Sequence, residues 1–165
     1  MPFSRKKTAK PGEENDSAAA FDAACRILSF MDNTEKMLSR KLAERGFTPA
    51  ARADAIDRIK RMGFLDEERM ILRKVESLAK ARGYGMRRIR QELSLAGFSE
   101  EAYDALTPEF LASLDFPALC AEQIRKRGGD FDEKTYAFLL RRGYSGEDIR
   151  KAKQILKEEN TEESR

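Results

Sequence analysis

Apolar residues along this chain recur at spacings of three and four, the period of a helix face, and nowhere alternate over a useful length as a half-buried strand would. Phe21, Ala24, Cys25 and Leu28 mark a first amphipathic helix. Asn33 or Thr34 can cap a second, which carries Leu38 and Leu42 and stops at Gly46. Thr48 and Pro49 supply cap and first turn for a third, with Ala55, Ile56, Ile59 and Met62 on its apolar stripe and Gly63 at its end. The pattern then restarts. Asp66 can cap a helix bearing Ile71, Val75 and Leu78; a helix through Met86, Ile89 and Leu93 follows; Ser99 introduces a short one with Tyr103 and Leu106. A third round opens at Asp115 and Phe116, runs through Tyr136 and Leu139 to Gly143, and ends with Ser145 capping a helix that carries Ile149, Ala152, Ile155 and Leu156.

The phrase Leu-x-x-x-Gly-aromatic-Ser/Thr occurs at Leu42 to Thr48, Leu93 to Ser99 and Leu139 to Ser145. Each copy holds an apolar anchor, a glycine stop, an aromatic plug and a hydroxyl cap, a period compatible with three-helix units. The fold class expected is therefore all-α, three tandem three-helix repeats stacked into an elongated, curved rod. The divisions are a disordered basic leader over 1–17, modules over 18–65, 66–109 and 110–158, and a frayed tail over 159–165. Phe64 and Leu65 read as an apolar plug between the first two modules.

Composition narrows the chemistry. Hydrophobic residues make up 41% and charged residues 37%, so the core is thin and the surface dense with charge. The 32 basic residues nearly offset the 29 acidic ones, leaving +3, so affinity for an anionic partner must come from local clusters. There is no histidine, which removes the usual general base near neutral pH and the commonest transition-metal ligand. Cys25 and Cys120 stand far apart, outside any CxxC, and occupy matching places in the first and third modules, where they read as small buried hydrophobes. No apolar run approaches the roughly 18 residues of a membrane span, and the N-terminus lacks a signal-peptide core, so a soluble, cytoplasmic protein is expected. Neither an enzyme nor a cofactor or metal is predicted.

Local charge gives the candidate site. Lys80, Arg82, Arg87, Arg88 and Arg90 fall in a stretch with no acidic residue from Ser77 to Gln91. With Met86, Ile89 and Leu93 turned inward, that helix docks on its own domain and offers positive charge outward. Arg125, Lys126 and Arg127, before Gly128-Gly129, and Arg141 with Arg142, before Gly143, extend the set, although cations near helix C-termini are expected on other grounds. Gly83-x-Gly85 is no nucleotide loop, because no strand precedes it and no third glycine completes the fingerprint. Asp66, Glu67 and Glu68 open a helix and read as capping residues, and Tyr84 reads as a packing residue that could also stack on a base.

Gly63-Phe64-Leu65-Asp66-Glu67-Glu68-Arg69, then Gly83-Tyr84-Gly85-Met86-Arg87-Arg88-Ile89-Arg90-Gln91-Glu92-Leu93, then Gly97-Phe98-Ser99-Glu100-Glu101, resemble the RecX family of recombinase regulators. The likeness runs from about Phe21 to Leu156. In the second helix Thr34 and Met37 stand where the family pattern has Ser and Glu, which removes the reciprocal capping pair. The resemblance implies three tandem three-helix repeats. It also implies a monomeric partner of the RecA filament on single-stranded DNA, lying in the filament groove and lowering its ATPase, strand exchange and coprotease activities. Direct DNA contact is left open. The alternative from a different class is a helix-turn-helix-like protein acting on DNA itself, in transcription or on single strands.

Overall fold

The computed structural model describes residues 8–10 and 13–163, and all regular structure among them is helical, as the sequence predicts. In chain order the helices are α1 (Ser17–Leu28), α2 (Glu35–Ala43), α3 (Pro49–Arg61), α4 (Glu67–Glu76), α5 (Met86–Ala96), α6 (Glu100–Tyr103), α7 (Pro108–Ser113), α8 (Phe116–Lys126), α9 (Glu133–Arg141) and α10 (Gly146–Glu163). α4 widens into a π-helical turn, Ser77–Ala81. The chain forms two compact units. One comprises Met1–Met70 with Ala96–Tyr103, the other Ile71–Leu95 with Asp104–Arg165.

At its first and third copies the repeated phrase is one hydrogen-bonded corner. After α2, Gly46 N–H donates to Ala43 O (2.9 Å) and Phe47 N–H to Leu42 O (3.3 Å); after α9, Gly143 N–H donates to Leu140 O (3.0 Å) and Tyr144 N–H to Leu139 O (3.2 Å). This is the Schellman geometry, in which a left-handed residue lets the chain double back and cover two orphan helix carbonyls. The spacing of leucine to aromatic is thus the span of one backbone bond. The hydroxyl that follows opens the next helix. Thr48 Oγ1 accepts from Ala51 N–H at 3.5 Å, and Ser145 and Asp148 cap reciprocally, Asp148 N–H to Ser145 Oγ at 3.0 Å and Ser145 N–H to Asp148 Oδ2 at 2.9 Å.

In the first unit α1, α2 and α3 pack pairwise. Ala20 and Ala24 of α1 and Ala51 and Ala55 of α3 are small enough to let these helices approach closely, while Leu38, Leu42 and Ile59 fill the remaining interior. Each such leucine, fully buried, contributes about 1.5–3 kcal/mol. Leu65 joins this core, but Phe64 is 55% exposed, so only half of the predicted plug is one. At Gly63 the chain makes the same corner, Phe64 N–H donating to Ile59 O (3.1 Å), but here the ring is left in solvent. Part of the stretch expected to be a loose leader is tied down. Ala9 N–H donates to the helix-end carbonyl of Arg45 (2.7 Å), Thr48 N–H to Glu14 O (2.9 Å), and Asp16 caps α1. Arg5, Lys6, Lys7, Pro11 and Gly12 of that leader lie outside the described residues.

Asp66 caps α4 as expected, accepting from Arg69 N–H at 2.9 Å. Glu67 does more than oppose its own helix dipole. One carboxylate oxygen accepts the N–H of Glu35 at the start of α2, and the other accepts the N–H of Ser99, the cap of α6, at 2.8 Å. A single anion therefore satisfies donors at two helix N-termini. Thr34, whose hydroxyl accepts from Met37 N–H at 3.3 Å, donates in turn to Ala96 O at 3.0 Å.

In the second unit α8, α9 and α10 enclose Cys120, Ile124, Leu139, Tyr144 and Ile149. α7 was not anticipated, yet Thr107 caps it and Pro108 sits in its first turn, the same chemistry that opens α3. The tail expected to fray from 159 is helical to Glu163, and Arg125 grips Glu159 with Nη2–Oε1 at 2.6 Å. Ser164 and Arg165 lie outside the described residues. Neither cysteine is in a disulfide, and Cys120 is buried while Cys25 is half-buried.

Two outcomes are expected. Glu67→Ala strands two helix-start donors at once and lowers unfolding free energy by about 1–3 kcal/mol, read as a shift in the urea midpoint, whereas Glu67→Gln, which keeps one acceptor oxygen, loses less. Burial pushes the Cys120 thiol up to about 12 from an ordinary 9.0, and burial raises the Tyr144 phenol likewise. Both are held neutral by the fold. Their contribution is complete below pH 9 and declines as pH rises from 9 toward 12, because the unfolded chain then releases protons that the native one retains. The urea midpoint should fall across that window, less steeply in Cys120→Ala, and the native Cys120 thiol should resist alkylation at pH 8 until the protein unfolds.

Candidate partner-binding surface

The ten basic residues singled out by the sequence all lie in the second unit. Its organising feature is the start of α5. Ile89 and Leu93 are fully buried, as the spacing predicts, but the first donors of the helix are satisfied by the corner after α9 rather than by a local cap. Gly85 N–H donates to Arg142 O (2.9 Å) and Arg87 N–H to Gly143 O (3.1 Å). The backbones touch. A Cβ on Gly85 would lie 2.3 Å from Tyr144 N, and one on Gly143, at φ +92°, would lie 2.3 Å from Arg88 N. Gly85 thus allows the backbones to approach, Gly83 takes a positive φ of +65° against the Gln123 side chain, and Tyr144 Oη completes the junction by donating to Gly83 O at 3.1 Å.

This crossing gathers several of the predicted cations. Arg142 donates to the carbonyl of Arg82 and to Gln123 Oε1 (3.2 Å). Its guanidinium lies 5.1 Å from the Tyr84 ring centre and 5.3 Å from that of Phe138; Arg88 lies 5.6 Å from Tyr84 and Arg127 4.4 Å from Phe138. The result is a row, Arg88, Tyr84, Arg142, Phe138, Arg127, in which cations and ring faces alternate. Each such contact is worth about 0.5–1 kcal/mol at an exposed site. The ring faces between the guanidinium groups offset the repulsion that would otherwise push three cations apart. Phe138 is not singled out by the sequence, although its spacing of four before Arg142, the residue that closes α9, is the signal that would have found it.

The remaining candidates divide by their partners. Lys80 pairs with Glu76 (2.6 Å), Lys126 with Glu122 (2.6 Å), Arg125 with Glu159, and Arg88 with Glu92 (2.8 Å). These pairs are solvent-exposed on at least one side and worth about 0–1 kcal/mol, so a stronger anion can displace them. Arg87, Arg90 and Arg141 are exposed, and their side chains, like that of Arg82, have no partner among the described residues. Among those residues no cluster of three or more His, Cys, Asp or Glu is arranged to hold a metal, and no helix is long and apolar enough to cross a membrane.

Fold and site together define a class: an all-helical repeat protein whose second unit displays an ordered basic surface. Regulatory protein RecX of Escherichia coli strain SE11 is 36% identical over 149 residues, covering 80% of this chain and 88% of that protein, and the RecX of Chlorobium phaeobacteroides strain BS1 is 31% identical over 144 residues, covering 83% and 93%. The chain belongs to the RecX family of regulatory proteins. The family model for the first RecX three-helix domain matches residues 20–58. The fold is also similar to the crystal structure of RecX from Lactobacillus salivarius, with a TM-score of 0.69 at 19% identity, covering 86% of this chain and 97% of that one.

The crossing gives a sharp expectation. Gly85→Ala or Gly143→Ala places a methyl group inside backbone atoms that cannot rotate away, so either should lower stability by about 3 kcal/mol or more. Gly146→Ala, where a Cβ meets open space, should change the urea midpoint little.

Proposed function

We propose that this chain is a negative regulator of homologous recombination and of the SOS response. On this reading it binds the RecA nucleoprotein filament on single-stranded DNA and inhibits its ATPase, strand exchange and coprotease activities. The observation that carries the reading is the set of unpartnered arginines, Arg87, Arg90 and Arg141, built around the Gly85–Gly143 crossing. Membership of the RecX family supports it. The chain does no chemistry of its own: it acts as a monomer in the cytoplasm, without cofactor, by occupying surface that the filament needs. Modest contacts from several modules become avid on a repeating polymer and stay weak on a free subunit.

In this scheme Arg87, Arg90 and Arg141 make the central contact, with Arg82, Arg88 and Arg142 beside them. Lys80, Arg125, Lys126 and Arg127 are recruited as their own weak partnerships exchange. A second reading, direct binding to single-stranded DNA, is favoured by the row of rings and guanidinium groups through Tyr84 and Phe138, since bases stack on such faces.

The triple variant Arg87→Glu/Arg90→Glu/Arg141→Glu should lose roughly tenfold or more in affinity for RecA-coated DNA and should no longer inhibit filament ATPase, with its helical circular dichroism intact. Undiminished inhibition by that folded variant rejects the assignment. Equal affinity of the wild type for naked and RecA-coated DNA at near-physiological salt would favour the second reading.

A further inference from the structure

The first unit carries a surface of opposite character. α2, α3 and the starts of α4 and α6 border an open groove of about 1330 Å³. Its apolar part includes Ile56, Leu65, Phe98 and Ala102, and Gly63 lies in its wall between Met62 and Phe64, which are 51% and 55% exposed. Six carboxylates line it, those of Glu35, Asp57, Asp66, Glu67, Glu68 and Glu101, against the four cations Lys36, Arg40, Arg52 and Lys60. Much of this charge is already engaged. Lys60 pairs with Glu35 at 2.8 Å, Asp57 with Arg61 at 2.6 Å, Arg40 with Glu44 at 3.9 Å, and Glu67 holds two backbone donors. Arg52 reaches across to Ser39 O at 3.2 Å. Glu68 and Glu101 are exposed, and neither is in a hydrogen bond or ion pair among the described residues, although the charge of Glu101 acts on Lys60.

Carboxylates outnumber cations in the lining. The Lys60 ammonium is held above its ordinary range, first by its hydrogen bond to Glu35 and then by the charges of Glu35, Glu67 and Glu101, against the opposing effect of burial. A cation is welcome there and a phosphate is not. The apolar part of the lining, Ile56, Leu65, Phe98 and Ala102, calls for a partner with apolar side chains, which a nucleic-acid backbone lacks.

We propose that this groove docks a cationic amphipathic segment of a protein partner, whose lysine or arginine head groups meet Glu68 and Glu101 while its apolar side chains cover Ile56, Leu65, Phe98 and Ala102. The proposal rests on the reading of the chain as a regulator of a nucleoprotein filament and deepens it: the acidic groove engages the protein component, independently of the basic surface of the second unit. Charge complementarity selects the occupant, and the docking mode is that of an amphipathic segment laid into a groove.

The test compares full-length wild type with Glu68→Gln/Glu101→Gln, and with Glu68→Lys/Glu101→Lys, by fluorescence anisotropy on RecA-coated and on naked single-stranded DNA, with circular dichroism to confirm folding. The glutamine pair should weaken binding to coated DNA roughly tenfold, the lysine pair further, and neither should weaken binding to naked DNA. Unchanged affinity of both variants for coated DNA overturns the proposal, as does an equal loss on naked DNA. Sedimentation in which wild type self-associates and the variants do not would make a second copy the occupant, and overturns it too. Should wild type not bind coated DNA at all, the regulatory reading fails by itself. The groove is then judged on a synthetic lysine-leucine amphipathic peptide, whose binding must be lost in the glutamine pair, and absence of binding to wild type overturns it.

Discussion

Every α-helix ends with carbonyl groups that have no donor of their own, and this fold depends on how it covers them. The corner written as Leu-x-x-x-Gly-aromatic solves the problem within six residues: the aromatic N–H returns to the leucine carbonyl, and the leucine and ring can then enter the same interior. At α9 the solution serves twice. Leu139 receives the Tyr144 N–H, Tyr144 is fully buried, and the next carbonyls along, those of Arg142 and Gly143, receive the first donors of α5. Helix termination and helix docking thus use neighbouring atoms of one turn. The glycines on both sides follow from distance, since two backbones in hydrogen-bonding contact leave no room for a Cβ.

That contact also decides how the basic surface behaves. Arginines crowded on a helix face repel, and a surface of freely moving cations would lose side-chain entropy on binding. Here Arg142 is fixed by Gln123, by the Arg82 carbonyl and by two rings, and the same rings hold Arg88 and Arg127. Ordering those three in the free protein leaves less to be ordered on binding. The exposed arginines around them keep their freedom and, on the proposed scheme, meet the partner as charge. Arg142 is therefore better understood as the residue that spaces its neighbours than as an equal member of a charged run.

What the sequence made legible was local. Caps, stops and buried stripes are relations among residues within six positions, and Thr34, Thr48, Asp66, Ser145, Gly46 and Gly143 are where those rules place them. Leu65 and Phe64 show where such rules end, because a helix-closing turn sends consecutive apolar residues in different directions and hydropathy does not record which. Glu67 shows it more strongly. Its carboxylate supplies an acceptor at the start of α2, where Met37 had replaced the glutamate of a capping pair, from a position 32 residues away. α7 was readable from Thr107 and Pro108 but too short for its apolar period to register. At the candidate site the cations were visible and their partners were not: Arg125 with Glu159 and Arg142 with Tyr84 join segments that only the fold brings together.

A protein proposed to seek out a polymer of protein and nucleic acid meets a problem of selectivity. A uniformly basic surface would bind any nucleic acid, at rates and affinities set by salt rather than by the partner. Here the formal charge is only +3, and the two units differ in what they offer, ordered arginines in one and a groove lined by more carboxylates than cations in the other. On the proposed scheme the groove does not contribute to affinity for bare DNA. On the proposed scheme only a partner that supplies both an anionic surface and a cationic, apolar protein segment satisfies both units. Discrimination then arises from the requirement for two unlike contacts, so neither needs to be strong, and a regulator built from weak contacts can leave when the polymer changes.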